Sequence, residues 1–244
     1  MATKSDNDMR KIATSICYFT GYSTEVEFVF VVDVSITLTY TELTAQLIFV
    51  SSFINSMGID QVGSRCGLVT YSSTVLTVFG LTSYQRREEV IEAVSRVTLM
   101  EGSGRTDLAL RRMMLMLKES RVGSSQVAVV FFHGQSSNMA ATRELAEVAR
   151  KKGIVVLAVG IGSGVDEREL GYIAGKKEFE FKVESHDRLN DLLVRLTTKT
   201  MNVVRHFEAS EPSSIIGPGI DEGKRNQWRQ SGLKIGGCSS GFKT

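Results

Sequence analysis

Cysteine, proline and long apolar runs are all scarce in this sequence of 244 residues. Its three cysteines form no CxxC pair and no Cys/His spacing typical of zinc, which excludes a disulfide-stapled scaffold and a zinc ribbon. No run of about 18 apolar residues occurs, so neither a transmembrane helix nor membrane insertion is expected. A net charge of only +2 does not favour nucleic acid as a partner.

The polar N-terminal stretch 1–10 lacks the apolar core of a signal peptide. The sequence therefore leaves open whether the chain is intracellular or is part of a longer secreted protein. Cys66 lies in an apolar stretch and is predicted to be a small core residue. Cys17 and Cys238 flank the central region and could form a disulfide in an oxidising compartment, whereas free thiols would indicate the inside of the cell.

Short apolar runs alternate with helical patterns through the middle of the chain. The connection 72–74 is so short that the run 75–79 must form a hairpin with the run before it, as an antiparallel strand at a sheet edge. Alternating strands and helices predict an α/β fold in three layers, with a mostly parallel sheet covered by helices on both faces. The other strands are predicted near 26–32, 62–71, 127–132, 154–159 and 179–183.

Three segments are predicted along the chain: an extended lead-in at 1–24, one domain at 25–204 and a flexible tail at 205–244. The tail contains both prolines and the only tryptophan, and it shows no helical or strand periodicity. Such composition is typical of a flexible or loosely docked extension.

Polar side chains follow several predicted strands and one glycine-rich loop. The carboxyl ends of the strands are where open α/β sheets place their sites, so these side chains can converge on one spot. Carboxylate and hydroxyl oxygens are the ligands that hard cations such as Mg²⁺ prefer. The side chains concerned are Asp33, Ser35, Thr37, Thr106 and His133.

The order of these motifs resembles that of the von Willebrand factor type A domain, over roughly residues 25–203. The resemblance implies a Rossmann-like fold with sheet order 3-2-1-4-5-6, and a non-enzymatic domain that binds protein through a metal-ion-dependent adhesion site. The blocks that carry the resemblance are Phe28–Thr37, Gly67–Ser72, Gly104–Leu110, Val129–Ser136, Gly153–Gly162 and Glu169–Ala174.

In that family five side chains hold Mg²⁺ or Mn²⁺, and an acidic residue of the partner completes the coordination shell. The family has an aspartate at the position of His133, and imidazole suits Zn, Cu or Ni better than Mg²⁺. We therefore expect affinity for Mg²⁺ or Mn²⁺ to be weak or absent. Carried over by position, the remaining ligands are Asp33, Ser35, Thr37 and Thr106.

Without a metal, Asp33 could accept hydrogen bonds from loop amides and from the hydroxyls of Ser35 or Thr106. His133 could be neutral and hydrogen-bonded to Asp33, or that carboxylate could raise the pKa of His133 and make partner binding depend on pH. Asp107 is a doubtful substitute ligand because successive residues at a helix start point in different directions.

Enzymatic alternatives are poorly supported by the motifs. The glycines of 160–164 lack the GxGxxG spacing of a dinucleotide loop. Ser35, near Asp33 and His133, lacks the nucleophile elbow GxSxG and a second base. We therefore expect a protein that is not an enzyme.

The resemblance implies an extracellular matrix or adhesion module, like those of matrilin-like or collagen VI-like chains, that belongs to a larger chain. Its expected partner is a matrix or adhesion protein, with collagen as one candidate. The alternative is an intracellular, cytoplasmic scaffold subunit with the same fold. The predicted contact face includes Ser103, Arg105, Asp107, Gln135 and Ser136.

Overall fold

The computed structural model describes residues 25–58 and 63–210, with side chains up to residue 202. The predicted lead-in, the tail beyond residue 210 and the Cys17–Cys238 pair lie outside these residues. The strands are β1 (Val26–Asp33), β2 (Arg65–Tyr71), β3 (Val75–Phe79), β4 (Ser125–Phe132), β5 (Val155–Ile161) and β6 (Glu180–Val183). The α-helices are α1 (Tyr40–Ser56), α2 (Arg87–Ser95), α3 (Thr106–Met116), α4 (Met139–Lys151), α5 (Glu167–Ala174) and α6 (Leu193–Ser210). Short 3₁₀ helices cover Leu117–Glu119, Lys177–Phe179 and His186–Leu192.

The six strands form one sheet in the order β3-β2-β1-β4-β5-β6. Strand β1 lies centrally and pairs in parallel with β2 and β4. Only β3 runs antiparallel to its neighbour, as the short connection before it requires. The predicted fold class and strand order are confirmed.

Strand β1 is buried on both faces and therefore supplies two cores. Phe28 and Phe30 face the core that contains α1, α2 and α6, and both rings meet Phe53 of α1 edge to face. Val29 and Val31 face the opposite core, which contains α3, α4 and α5. Full burial of each such side chain contributes about 1.5–3 kcal/mol, so the alternation holds both helical layers against β1.

Helix α1 begins where the sequence predicts, at a capping box. The Thr39 hydroxyl accepts a hydrogen bond from the Glu42 amide, and the Glu42 carboxylate accepts one from the Thr39 amide. Further along the helix, the Gln46 side-chain amide donates to the backbone carbonyl of Asp33 at 2.9 Å. These hydrogen bonds attach both ends of the β1–α1 loop, at Asp33 and at Thr39, to helix α1.

The end of the fold differs from the predicted single helix over about 187–204. The structure has a 3₁₀ helix at His186–Leu192 and then α6, which continues to Ser210, beyond the predicted domain end at 204. Leu189 and Leu192 are both buried, and a spacing of three residues matches the three residues per turn of a 3₁₀ helix.

Cys66 is a buried free thiol in β2, and burial raises its pKa to about 12. This agrees with the prediction that it is a small core residue, and a thiol with a raised pKa is unreactive at neutral pH. Within the described residues, none of the helices has both the length and the apolar character needed to cross a membrane.

Candidate binding site at the strand ends

Three polar segments meet at the carboxyl ends of the central strands, as the sequence predicts. Asp33 ends β1, His133 follows β4, and Thr106 begins α3. The loop before α3 passes close to Asp33: a Cβ added to Gly104 would lie 3.3 Å from the Asp33 Oδ2 atom. A glycine at this position therefore allows the loop to approach the carboxylate.

The imidazole of His133 lies across the side chains of the β1–α1 loop. Its Nε2 atom hydrogen-bonds Thr37 Oγ1 at 2.7 Å and lies 3.5 Å from Ser35 Oγ. Its Nδ1 atom lies 3.3 Å from Asp33 Oδ2, but Nδ1 makes no hydrogen bond to any described residue. The expected hydrogen bond from His133 to Asp33 is thus replaced by a contact, while the hydrogen bond goes to Thr37.

Asp33 is buried, and its Oδ1 atom accepts a hydrogen bond from the Ser35 amide at 3.0 Å. Burial raises the pKa of Asp33, while the nearby His133 and the Ser35 bond partly oppose that shift. A loop amide therefore organises the carboxylate, one of the hydrogen bonds that the sequence led us to expect.

Thr106 is buried beneath this network rather than joined to it. Its hydroxyl donates to the Tyr71 hydroxyl at 3.5 Å, at the limit of a hydrogen bond, and Tyr71 donates to the Phe131 carbonyl at 3.0 Å. Burial raises the pKa of Tyr71 well above its usual value, so the phenol stays neutral. The expected bond from Thr106 to Asp33 is not formed.

These residues do not fit an oxygen-coordinated divalent cation. Mg²⁺ requires near-ideal octahedral oxygen ligands, usually with one or two carboxylates. Asp33 is the only carboxylate of the set. The hydroxyls of Ser35 and Thr37 hydrogen-bond each other at 2.8 Å and contact the imidazole, so they are already engaged within the domain. Within the described part of the chain, no group of three or more His, Cys, Asp and Glu side chains could hold a metal ion.

Arg105 and Asp107 form a two-point ion pair beside the site. Two guanidinium nitrogens of Arg105 each donate to one carboxylate oxygen of Asp107 at 2.8 Å. These bonds hold the pKa of Asp107 below its usual value. With both oxygens engaged and its side chain buried, Asp107 is neither a substitute ligand nor a surface contact.

The other predicted contact residues divide between surface and interior. Ser103 and Gln135 are exposed, and the Ser103 hydroxyl accepts a hydrogen bond from Ser137. Ser136 is buried: its amide donates to Glu169 and its hydroxyl accepts from Thr142. Ser136 therefore supports the loop from below, and placing it on the contact face was wrong.

His186, which was not predicted from the sequence, lies three residues after the end of β6, at the same edge of the sheet. Its ring centroid is 6.3 Å from that of His133, and its Nδ1 atom is 3.5 Å from the Glu42 carboxylate. Burial lowers the pKa of His186, with Glu42 partly opposing this. The position after a predicted strand was the signal that could have identified it.

Two apolar side chains on the β1–α1 segment were also missed. Ile36 is 58% exposed and Tyr40 is 75% exposed, although both are large. Ile36 lies between the site residues Ser35 and Thr37 in the sequence, and Tyr40 begins α1. Tyrosine is enriched at the energetic centres of protein interfaces.

Comparisons with known proteins agree with this architecture. The family model of the von Willebrand factor type A domain matches residues 27–195, more than half of the chain. "von Willebrand factor A domain-containing protein 2" of Xenopus laevis is 30% identical over 67% of the chain. Matrilin-2 of Mus musculus is 32% identical over 62% of the chain.

The chain covers 21% of the length of the Xenopus relative and 16% of that of matrilin-2. Among solved structures, proximal thread matrix protein 1 of the mussel byssus, described with a zinc-occupied MIDAS motif, aligns with a TM-score of 0.68. That alignment has 22% sequence identity and covers 72% of this chain and 46% of the mussel chain, which makes it a likeness of fold.

Proposed function

The chain belongs to the von Willebrand factor type A domain family, and we propose that it binds a protein partner without a metal ion. Like its matrilin relatives, it is not an enzyme. The contact face is formed by the loops at the carboxyl ends of the strands. Its partner is a matrix or adhesion protein, with collagen as the first candidate to test. The domain works outside the cell as part of a longer chain.

The observation that carries this proposal is the position of the His133 ring. The imidazole contacts Thr37, Ser35 and Asp33, the side chains that would otherwise hold a cation. A neutral or protonated imidazole offers no oxygen to Mg²⁺, and in its protonated form it would repel the ion. We therefore assign the site to hydrogen bonding within the loops rather than to coordination of the partner's carboxylate.

In this proposal, apolar contacts rather than metal coordination supply the affinity for the partner. Ile36 and Tyr40 project from the same loop face and are largely exposed. Two charged pairs nearby are already satisfied within the domain, Arg105 with Asp107 and Arg168 with Asp166. A contact face of this kind suits a partner with a complementary apolar pocket, because burial of such side chains yields most of the binding free energy.

Binding to immobilised collagen and to a panel of other matrix proteins tests the proposal. We expect at least one of them to bind with the same Kd in EDTA and in millimolar Mg²⁺. Tyr40→Ala and Ile36→Ser should each weaken that binding by about tenfold or more, in line with typical interface hot spots.

Val122→Ala is the matched control, since Val122 is a fully exposed apolar residue that precedes β4 at the opposite end of the sheet. It should leave the Kd unchanged. Loss of binding in EDTA, or a Kd indifferent to both loop variants, would overturn the proposal.

A further inference from the structure

The outer edge of β3 is open. Strand β3 pairs with β2 alone, and within the described residues no other strand lies on its far side. Leu76 is 54% exposed and Thr77 is also exposed, while Val75 and Val78 are half-buried. An edge of this kind presents unpaired backbone amides and carbonyls together with apolar side chains.

Edge strands are normally protected against pairing with other chains by charged side chains or proline. The whole stretch 66–85, which contains β3, has no charged residue, no histidine and no proline. The opposite edge of the same sheet is different, because β6 carries Glu180 and Lys182, and both form ion pairs. One edge of the sheet is therefore protected by charge and the other is not.

We propose that β3 is a self-association surface, on which β3 of a second copy pairs antiparallel with its centre at Thr77. This register places Thr77 opposite Thr77, with Val75 and Leu76 of each copy beside Val78 and Phe79 of the other. Every cross-strand pair is then apolar or threonine with threonine, and no like charges face each other.

Strand β3 is regular from Val75 to Thr77 and irregular after it, because Val78 has no partner on β2 between the pairs Thr77–Val69 and Phe79–Leu68. A twofold axis at Thr77 therefore brings the regular half of each copy beside the irregular half of the other. Backbone hydrogen bonds are expected mainly next to the axis, which is a further reason to expect weak pairing. The arrangement is isologous, with the same patch used by both copies, and it joins two six-stranded sheets into one.

A second copy is favoured over an unrelated extended peptide because the uncharged strand is complementary to itself. A five-residue strand pairing is small compared with the roughly 1,200 Å² or more that stable interfaces bury, so the expected dimer is weak and depends on concentration. The surface lies at the side of the sheet, apart from the loop face proposed for the matrix partner. The two proposals can therefore fail independently.

Analytical ultracentrifugation of the 244-residue chain across a concentration series tests this inference. We expect reversible dimers in the wild type and at least a tenfold weaker dimer in Thr77→Lys, because that change sets two lysines face to face. Thr77 is exposed, so the thermal midpoint should stay within a few degrees of wild type. Val122→Lys, another exposed site, should dimerise like the wild type.

A cross-linking experiment tests the register itself. Directly opposite residues have Cβ atoms about 4.5–5.5 Å apart, close to disulfide geometry. In a Cys17→Ser/Cys238→Ser background, Thr77→Cys should form a disulfide-linked dimer on oxidation, and Val122→Cys should not. A wild type that stays monomeric, a dimer that survives Thr77→Lys, or equal cross-linking at both positions would overturn the inference.

Discussion

The Nε2 atom of His133 lies 2.7 Å from the hydroxyl oxygen of Thr37. This hydrogen bond joins the loop after β4 to the loop after β1. The imidazole ring occupies a position where an oxygen-bound cation would need a carboxylate. The two loops are thus held together by a side chain of the domain itself. If the proposed loss of the metal site is right, binding at this face should not change with the metal concentration.

His133→Asp should create affinity for Mg²⁺ and Mn²⁺. The change removes the ring that contacts Thr37 and Ser35, and it adds a second carboxylate beside Asp33. Isothermal titration calorimetry should show no heat of binding for the wild type and a Kd below about 1 mM for the variant, which corresponds to at least about 4 kcal/mol of binding free energy.

His133→Asn is the matched control for that experiment, since it removes the ring without adding charge and should not gain comparable affinity. Zn²⁺ belongs in the same titration because imidazole favours it over Mg²⁺. Tight Mg²⁺ binding by the wild type would refute the proposed loss of the site. Failure of His133→Asp to gain affinity would refute the assignment of this position.

Glu27→Gln should destabilise the domain by about 3–5 kcal/mol. Glu27 is fully buried at the start of β1, and its carboxylate receives hydrogen bonds from Arg65 at 2.9–3.0 Å and from Arg121 at 2.6 Å. Removing the charge leaves Arg65 without a carboxylate partner and Arg121 with Glu25 alone, and breaking a buried ion pair typically has a cost of this size. Urea denaturation measures the change in the free energy of unfolding.

The control is Glu92→Gln, whose partner Arg96 forms an exposed pair one helical turn away. Such surface pairs contribute at most about 0.5 kcal/mol. Equal effects of the two substitutions would show that the Glu27 cluster does not stabilise the fold.

Most of the fold was predictable from local patterns in the sequence. The apolar run at 28–32 reads as a strand buried on both faces, and the capping box at Thr39 fixes the start of α1. The tight connection before β3 dictates its direction. Each of these signals involves residues close together in the chain, so no knowledge of tertiary packing was needed. The strand order itself came from the family resemblance.

The interior of the site could not be predicted in the same way. The burial of Asp107 and Ser136 follows from their partners Arg105, Thr142 and Glu169, and the side-chain directions depend on how the loops pack. The position of His133 after β4 could be predicted from the sequence, but its choice of Thr37 rather than Asp33 as hydrogen-bond partner could not. The location of these residues was thus predictable, while their individual contacts were not.

Gly102→Ala should destabilise the loop that leads into α3. Gly102 has φ of +103°, a conformation that residues with a Cβ rarely adopt, and an added Cβ would lie 2.2 Å from the Ser73 hydroxyl oxygen. We expect a loss of about 1–3 kcal/mol in the free energy of unfolding. Gly134→Ala on the same face is the control, because its added Cβ would meet nothing within 4 Å. A Gly102 variant as stable as this control would contradict the expected strain.

The stability of the domain should fall as the pH is lowered from about 6.5, in part because of His186. Burial lowers the pKa of His186 in the folded state, whereas the unfolded chain keeps the ordinary value of about 6.5. Between those two values the unfolded state binds more protons than the folded state, so the free energy of unfolding decreases with falling pH. The titratable groups that act on the ring are Glu42, His133 and Asp187, and the two acids oppose the shift without reversing it.

Thermal unfolding at pH 7.5 and 5.5 measures this dependence. The drop in thermal midpoint from pH 7.5 to pH 5.5 should be smaller in His186→Gln than in the wild type, because glutamine does not titrate. The comparison uses each protein's own difference between the two pH values, so a general loss of stability in the variant does not affect it. The same pH dependence in both proteins would exclude His186 as its source, and a wild type more stable at pH 5.5 would reverse the expected sign.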